Sequence, residues 1–144
     1  MPPKEVFISH SDLDEKFVSA LAGMLRRHNV PVWYSKTNTS GVEDWYDQIG
    51  EALNRCDWFV VVMSPNSTRS QWVKRELVFA LTEKRYNNRI VPILYLPPQH
   101  RKKFDYKRTL FWSLAGMSIK DFRGKRVDGY RELLKTWGIG YKPK

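Results

Sequence analysis

Two residues one helical turn apart, Trp72 and Glu76, carry the sharpest chemical signal in the sequence. A lone carboxylate can stabilise a developing positive charge, and an aromatic ring beside it can hold a flat ligand by stacking. The segment SPNSTRSQWVKRELVFAL, Ser64 to Leu81, follows the apolar run Trp58 to Met63. A buried strand, a polar loop and an amphipathic helix in that order make half of a βαβ unit. Val73, Leu77, Ala80 and Leu81 fall on one arc, with Trp72 and Glu76 at its margin. That puts the acid near the carboxyl end of a strand, where open α/β sheets bind their ligands. A solvated helix carboxylate near the positive end of the helix dipole would account for Glu76 equally well on these grounds.

Other loop residues gather at the same edge. His10, Ser11 and Asp12 follow the first strand, Tyr34 and Ser35 the second, and Ser64, Asn66 and Ser67 the third. The common nucleotide and hydrolase fingerprints are missing: no G-x-G-x-x-G, Walker A, G-x-S-x-G or H-E-x-x-H. His10, His28 and His100 show no metal-ligand spacing.

The elements that would position these residues alternate between strand and helix. Strands are predicted at Glu5–Ile8, Val30–Tyr34, Asp57–Met63 and Arg89–Leu96, with a fifth, edge strand at Leu114–Ile119. Ser11 and Asp14 form an S-x-x-D cap before a helix burying Phe17, Val18, Leu21, Ala22 and Leu25. Asp44 caps a second helix with Trp45, Ile49, Ala52 and Leu53 on its face. A third helix runs over Ser70–Tyr86, and a last one over Val127–Gly138 buries Tyr130, Leu133, Leu134 and Trp137. Alternation of this kind predicts a parallel sheet with helices on both sides. At 144 residues and 42% hydrophobic, the chain has the size of one domain.

FISHS at Phe7–Ser11, VWYS at Val32–Ser35, GVEDW at Gly41–Trp45, VVVMSPNS at Val60–Ser67, SQWVKREL at Ser70–Leu77 and IVPILY at Ile90–Tyr95 stand in register. In that order and spacing the chain resembles a Toll/interleukin-1 receptor (TIR) domain from about Glu5 to Trp137, the stand-alone bacterial branch being the closer likeness. The resemblance implies a flavodoxin-like three-layer sandwich, with a five-stranded parallel sheet of order 2-1-3-4-5. In enzymatic members the Glu of W-x-x-x-E cleaves NAD+, a role that falls on Glu76 by position. NAD+ is then a substrate, and no cofactor or metal is implied. Nicotinamide is a cationic leaving group, so the reaction needs chiefly a carboxylate to support an oxocarbenium-like ribosyl cation.

Ser9, His10, Ser11, Tyr34, Trp45, Ser70 and Trp72 are the expected substrate-binding residues, with Trp33 a further aromatic candidate. For each aromatic, core packing is the competing role. Ser9 could instead be a buried strand-end serine bonded to backbone. The loop KTNTSGVE matches the family's self-association loop, which assigns Lys36, Ser40, Gly41 and Glu43 to contacts between TIR domains. It lacks the proline common in adaptor-type members. The product, ADP-ribose or a cyclic isomer, would act as an anti-phage immune signal sensed by a downstream effector. The alternative is a non-catalytic scaffold, or a mimic of host signalling, acting by homotypic contacts.

The net charge is +10, and it is unevenly spread: residues 1–99 hold 12 basic and 11 acidic side chains, residues 100–144 hold 13 and 4. A basic last third can serve a polyanion or simply be a solvated face. It lacks the interleaved exposed aromatics of a stacking groove, apart from Phe104 and Tyr106, so no specific nucleic-acid partner is expected. The lone Cys56 closes an apolar helical face and reads as a core residue. One cysteine, no signal-peptide pattern and no spanning apolar run predict a cytoplasmic protein with no membrane partner.

Overall fold

A computed structural model of the chain describes residues 2–35, 42–100 and 102–144, with the backbone alone for residues 42–45. Five strands, Val6–Ser9 (β1), Val32–Tyr34 (β2), Trp58–Met63 (β3), Ile90–Leu94 (β4) and Lys120–Asp121 (β5), pair in the order β2-β1-β3-β4-β5. Every pairing is parallel. The helices are Glu15–Arg27 (α1), Val42–Arg55 (α2), Gln71–Thr82 (α3) and Arg126–Lys135 (α4).

Alternation along the strands divides the core into two layers. Val6 and Ile8 of β1, with Val60 and Val62 of β3, pack against α1 and α4. Phe7, Phe59, Val61 and Met63 pack against α2 and α3. Strand β3 is buried on both faces, as a central parallel strand must be. The result is a three-layer flavodoxin-like sandwich. Cys56 lies in the second layer, and burial pushes its thiol up to about 12, which leaves it an inert thiol at neutral pH.

Several boundaries differ from the sequence expectation. The fifth strand is not Leu114–Ile119 but the two residues Lys120 and Asp121, paired with Ile93 and Leu94. The apolar residues upstream are drawn into a 3-10 turn, Leu110–Leu114, which buries Phe111 and Leu114. Thr109 opens that turn by accepting the Phe111 N–H at its Oγ1. An edge strand this short and polar has no hydrophobic period to detect. Helix α3 stops at Thr82, where Glu83 turns extended. A separate 3-10 turn at Lys84–Tyr86 sends Tyr86 inward, and its hydroxyl donates to the Leu53 carbonyl at 2.6 Å. Helix α2 begins at Val42, so Asp44 sits inside its first turn and does not precede it. Helix α4 spans fewer residues than expected, with Tyr130 only half-buried. Leu81 is 41% exposed and lies off the buried arc of α3. Phe104 and Tyr106 are half-buried against the second layer and are not open stacking platforms. No helix among the described residues is long and apolar enough to cross a membrane.

Candidate functional site

The buried stripe of α3 is Val73, Glu76, Leu77 and Ala80. This is the i, i+3, i+4, i+7 set of a core-facing helix, and one of its four members is a carboxylate. Glu76 is 6% exposed, which excludes the solvated-carboxylate reading. Helix α3 is started by Ser70, whose Oγ accepts the Val73 N–H at 3.2 Å. From the sheet, Ser9 points to the same layer as Phe7, because it lies two residues further along β1. Its hydroxyl donates to Glu76 Oε1 at 2.7 Å, so it bonds a side chain and not backbone.

Burial pushes the Glu76 carboxyl from an ordinary value of 4.5 up to about 8. The Ser9 hydrogen bond opposes that rise, and the nearby Asp12 charge adds to it. At neutral pH the group is therefore mostly protonated, and a cation arriving beside it would favour the ionised form.

A cleft of about 400 Å³ opens in front of Glu76. Its wall brings together His10, Ser11, Ser70 and Trp72 of the expected residues, with Asp12, Ser35 and Asn66 from the same loops. Leu13, Arg69 and Gln71 also line it. The sequence reading missed these three, although Arg69 and Gln71 flank the Ser70 cap. His10 is buried, and burial lowers its pKa, so it is held neutral near pH 7. Its Nε2 is buried without a hydrogen-bond partner among the described residues. Tyr34 stands behind it, edge-on at 5.8 Å, and does not itself line the cleft. Trp72 is half-buried, 4.9 Å from the Tyr46 ring, with the Arg75 guanidinium 5.5 Å over it. Trp33 stacks on Phe7 at 5.0 Å and belongs to the core layer, not to the cleft. Lys36, Ser40 and Gly41 lie outside the described residues. Of Glu43 and Trp45 only the backbone is described, in the first turn of α2.

A second network shapes the rim. Asp14, expected as a capping partner of Ser11, instead turns its buried carboxylate toward the loop after β3. It accepts from Ser64 Oγ at 2.5 Å and from Asn66 Nδ2 at 2.8 Å. Ser67 closes the loop, donating its N–H to Ser64 Oγ and accepting the Ser64 N–H at its own Oγ.

A larger groove of about 630 Å³ lies at the amino ends of β3 and β4, between Trp58, Ile90 and Met117. Among the described residues lining it, Lys120 alone is charged, so it offers no acid–base pair. Among the described residues no three His, Cys, Asp or Glu side chains gather where they could hold a metal ion.

No curated protein sequence matches the chain. Among solved structures it resembles the TIR domain of the Toll-related receptor TRR-2 from Hydra magnipapillata. The TM-score is 0.65 at 20% identity, over 91% of this chain and 95% of that one. A prokaryotic SEFIR domain superposes with a TM-score of 0.60 at 16% identity, over 97% of each chain. At these identities the likeness speaks for the fold. The sequence profile of the TIR domain family matches residues 6–134, from the first residue of β1 into the last turn of α4. On that match the chain belongs to the TIR domain family.

Proposed function

We propose that this TIR domain cleaves the bond between nicotinamide and ribose in NAD+. The observation that carries the reading is Glu76, a carboxylate buried in the wall of an open cleft at the acid position of W-x-x-x-E. Burying an acid without a cationic partner costs stability, so a fold that retains one has a use for it. The bond from ribose C1′ to the pyridinium nitrogen breaks, and its electron pair leaves with neutral nicotinamide. The ribosyl cation left behind faces the carboxylate of Glu76, which is worth far more in a partly desolvated cleft than in water. Water capturing C1′ gives ADP-ribose and releases a proton. A nucleophile on the adenosine half gives a cyclic isomer.

Trp72 supplies an aromatic wall for a flat, cationic ring. His10, Ser11 and Ser70 supply polar groups for the carboxamide and the ribose. Arg69 is a cation in the same wall, suited to the pyrophosphate. The protein acts as one domain on NAD+ and on other copies of itself. Its product would be a diffusible signal for a separate effector, as in anti-phage defence. The competing role is a scaffold that joins other TIR domains without chemistry.

The test is mass spectrometry of purified protein incubated with NAD+, wild type beside Glu76→Gln. Nicotinamide with ADP-ribose or a cyclic isomer from the wild type, reduced about 100- to 1000-fold in the folded variant, is the expected result. No nicotinamide from concentrated wild type, or equal turnover by both proteins, overturns the reading.

A further inference from the structure

We propose that Ser9 is a positioning residue for Glu76: its hydroxyl fixes one carboxylate oxygen in the core wall and leaves the other facing the cleft. The inference rests on the NAD+-cleaving reading of the site and adds to it a residue that never meets the ligand.

Ser9 is fully buried and absent from the cleft wall, so the ligand contact expected from its place at the end of β1 is not available to it. Its neighbours in that layer, Phe7, Val61, Val73 and Leu77, are apolar. A lone hydroxyl there must find a partner, and it finds Oε1 of Glu76 at 2.7 Å. A glutamate reaches its target through three side-chain torsions, and its carboxylate is broad about the last of them. One short hydrogen bond from a rigid central strand removes that freedom. It thereby aims the second oxygen, as preorganised electrostatic catalysis requires.

The same bond favours the charged form, against burial and against Asp12, the acid in the cleft wall. The other ionisable groups nearby do not replace it. His10 is held neutral by burial. On α3 itself Lys74 and Arg75 are exposed, Arg75 lying over the Trp72 ring. Arg69 is the cation of the cleft wall, and among the described residues the Ser9 hydrogen bond is the influence that favours ionisation of Glu76 against burial and Asp12.

Ser9→Ala removes one oxygen and leaves the packing nearly intact. Two measurements read it. Carbon-13 NMR of glutamate-labelled protein follows the Glu76 carboxyl without any substrate, assigned by its loss in Glu76→Gln. The pH profile of kcat/KM for NAD+ follows the same group in the working site. The expected result is a Glu76 titration at higher pH in Ser9→Ala than in the wild type. The rising limb of the profile should move with it. The loss at neutral pH should be about tenfold for each pH unit by which the limb moves, and it should narrow in alkali. Ser9→Thr, which keeps the hydroxyl, should restore the wild-type midpoint. Identical carboxyl titrations in wild type and Ser9→Ala overturn the proposal. So does a uniform loss of activity with an unmoved limb, which is what a merely structural role would give. If the wild type cleaves no NAD+ at any pH, the catalytic reading fails, while the NMR arm still decides whether Ser9 governs Glu76.

Discussion

Ser64 donates its hydroxyl to Asp14 across fifty residues of sequence, and this buried pair locks the start of α1 to the loop that follows β3. The two segments form adjoining parts of the cleft wall, Ser11 to Leu13 on one side and Asn66 on the other. A hydrogen bond to a buried carboxylate is worth roughly 1.5–3 kcal/mol, and its loss strands the donors. Asp14→Ala leaves both the Ser64 hydroxyl and the Asn66 amide without that acceptor. We expect a loss of about 3 kcal/mol in denaturant unfolding, with KM for NAD+ rising more than kcat falls. Wild-type stability in the variant would show that the pair does not hold the rim.

Glu76 makes stability and activity move in opposite directions with pH. Its carboxyl is raised from 4.5 to about 8 in the folded chain. Between those values the folded chain holds a proton that the unfolded chain has released, so stability falls as pH rises through the window. Glu76→Gln removes that penalty. The variant should melt near the wild type at about pH 5 and progressively above it toward pH 8, by on the order of a few kcal/mol. Over the same range kcat/KM of the wild type should climb toward a plateau as the acid ionises. Melts of the two proteins that stay parallel across the range would mean that the carboxyl titrates normally.

The central sheet was legible because its signal is redundant. Strand β3 is a continuous apolar run, α1 and α2 are strongly amphipathic, and six motifs keep register. The position of Glu76 was legible through W-x-x-x-E, but its full burial was not, since the hydrophobic pattern puts Leu81 in the arc and Glu76 at its margin, whereas the buried stripe is residues 73, 76, 77 and 80. The Ser9–Glu76 and Asp14–Ser64 bonds were not, because they join residues 67 and 50 apart through the sheet. Strand β5 was expected too early, at Leu114–Ile119, because the two polar edge residues that form it carry no period. Trp72 stood out by sharing a helical face with Glu76, whereas the core place of Trp33, stacked on Phe7, shows only in the packing.

Trp72 should act through its ring. Trp72→Ala is expected to raise KM for NAD+ about tenfold, the worth of an aromatic contact with a cationic ring, while Trp72→Phe retains most of the affinity. Because Tyr46 lies 4.9 Å from the indole, Tyr46→Ala should produce a smaller effect in the same direction. Initial rates over a range of NAD+ concentrations check both, and a change confined to kcat would point to misplacement of Glu76 instead.

The basic last third should show no sequence preference for nucleic acid. Its cations are scattered over the 3-10 turns, β5 and α4, and several are paired, Arg108 with Asp105, Arg123 with Asp121 and Arg131 with Asp128. Any binding should be weak and fall steeply with salt. A tight complex with one defined sequence at physiological ionic strength would refute it.

Turnover should depend on self-association. The cleft on one chain measures about 400 Å³ and is open to solvent, near the lower end of the roughly 300–1,000 Å³ of sites that bury a drug-sized ligand, and a dinucleotide is larger than such a ligand. Leu13, 79% exposed at its edge, is an apolar side chain that a neighbouring subunit would cover. Such a wall would exclude water from the ribosyl cation and strengthen Glu76 electrostatically. The segment after β2, with Gly41 and running on to Glu43 in the first turn of α2, is the part the family resemblance assigns to that contact. With a net charge of +10, copies repel one another, most strongly at low salt. Specific activity should therefore rise with enzyme concentration, with crowding agents and with moderate salt. Gly41→Pro should flatten the rise while leaving the melt nearly unchanged. Initial rate against enzyme concentration over about two decades decides the matter, since assembly follows mass action. A strictly linear plot, with a monomer in solution during turnover, would show that one chain closes its own site.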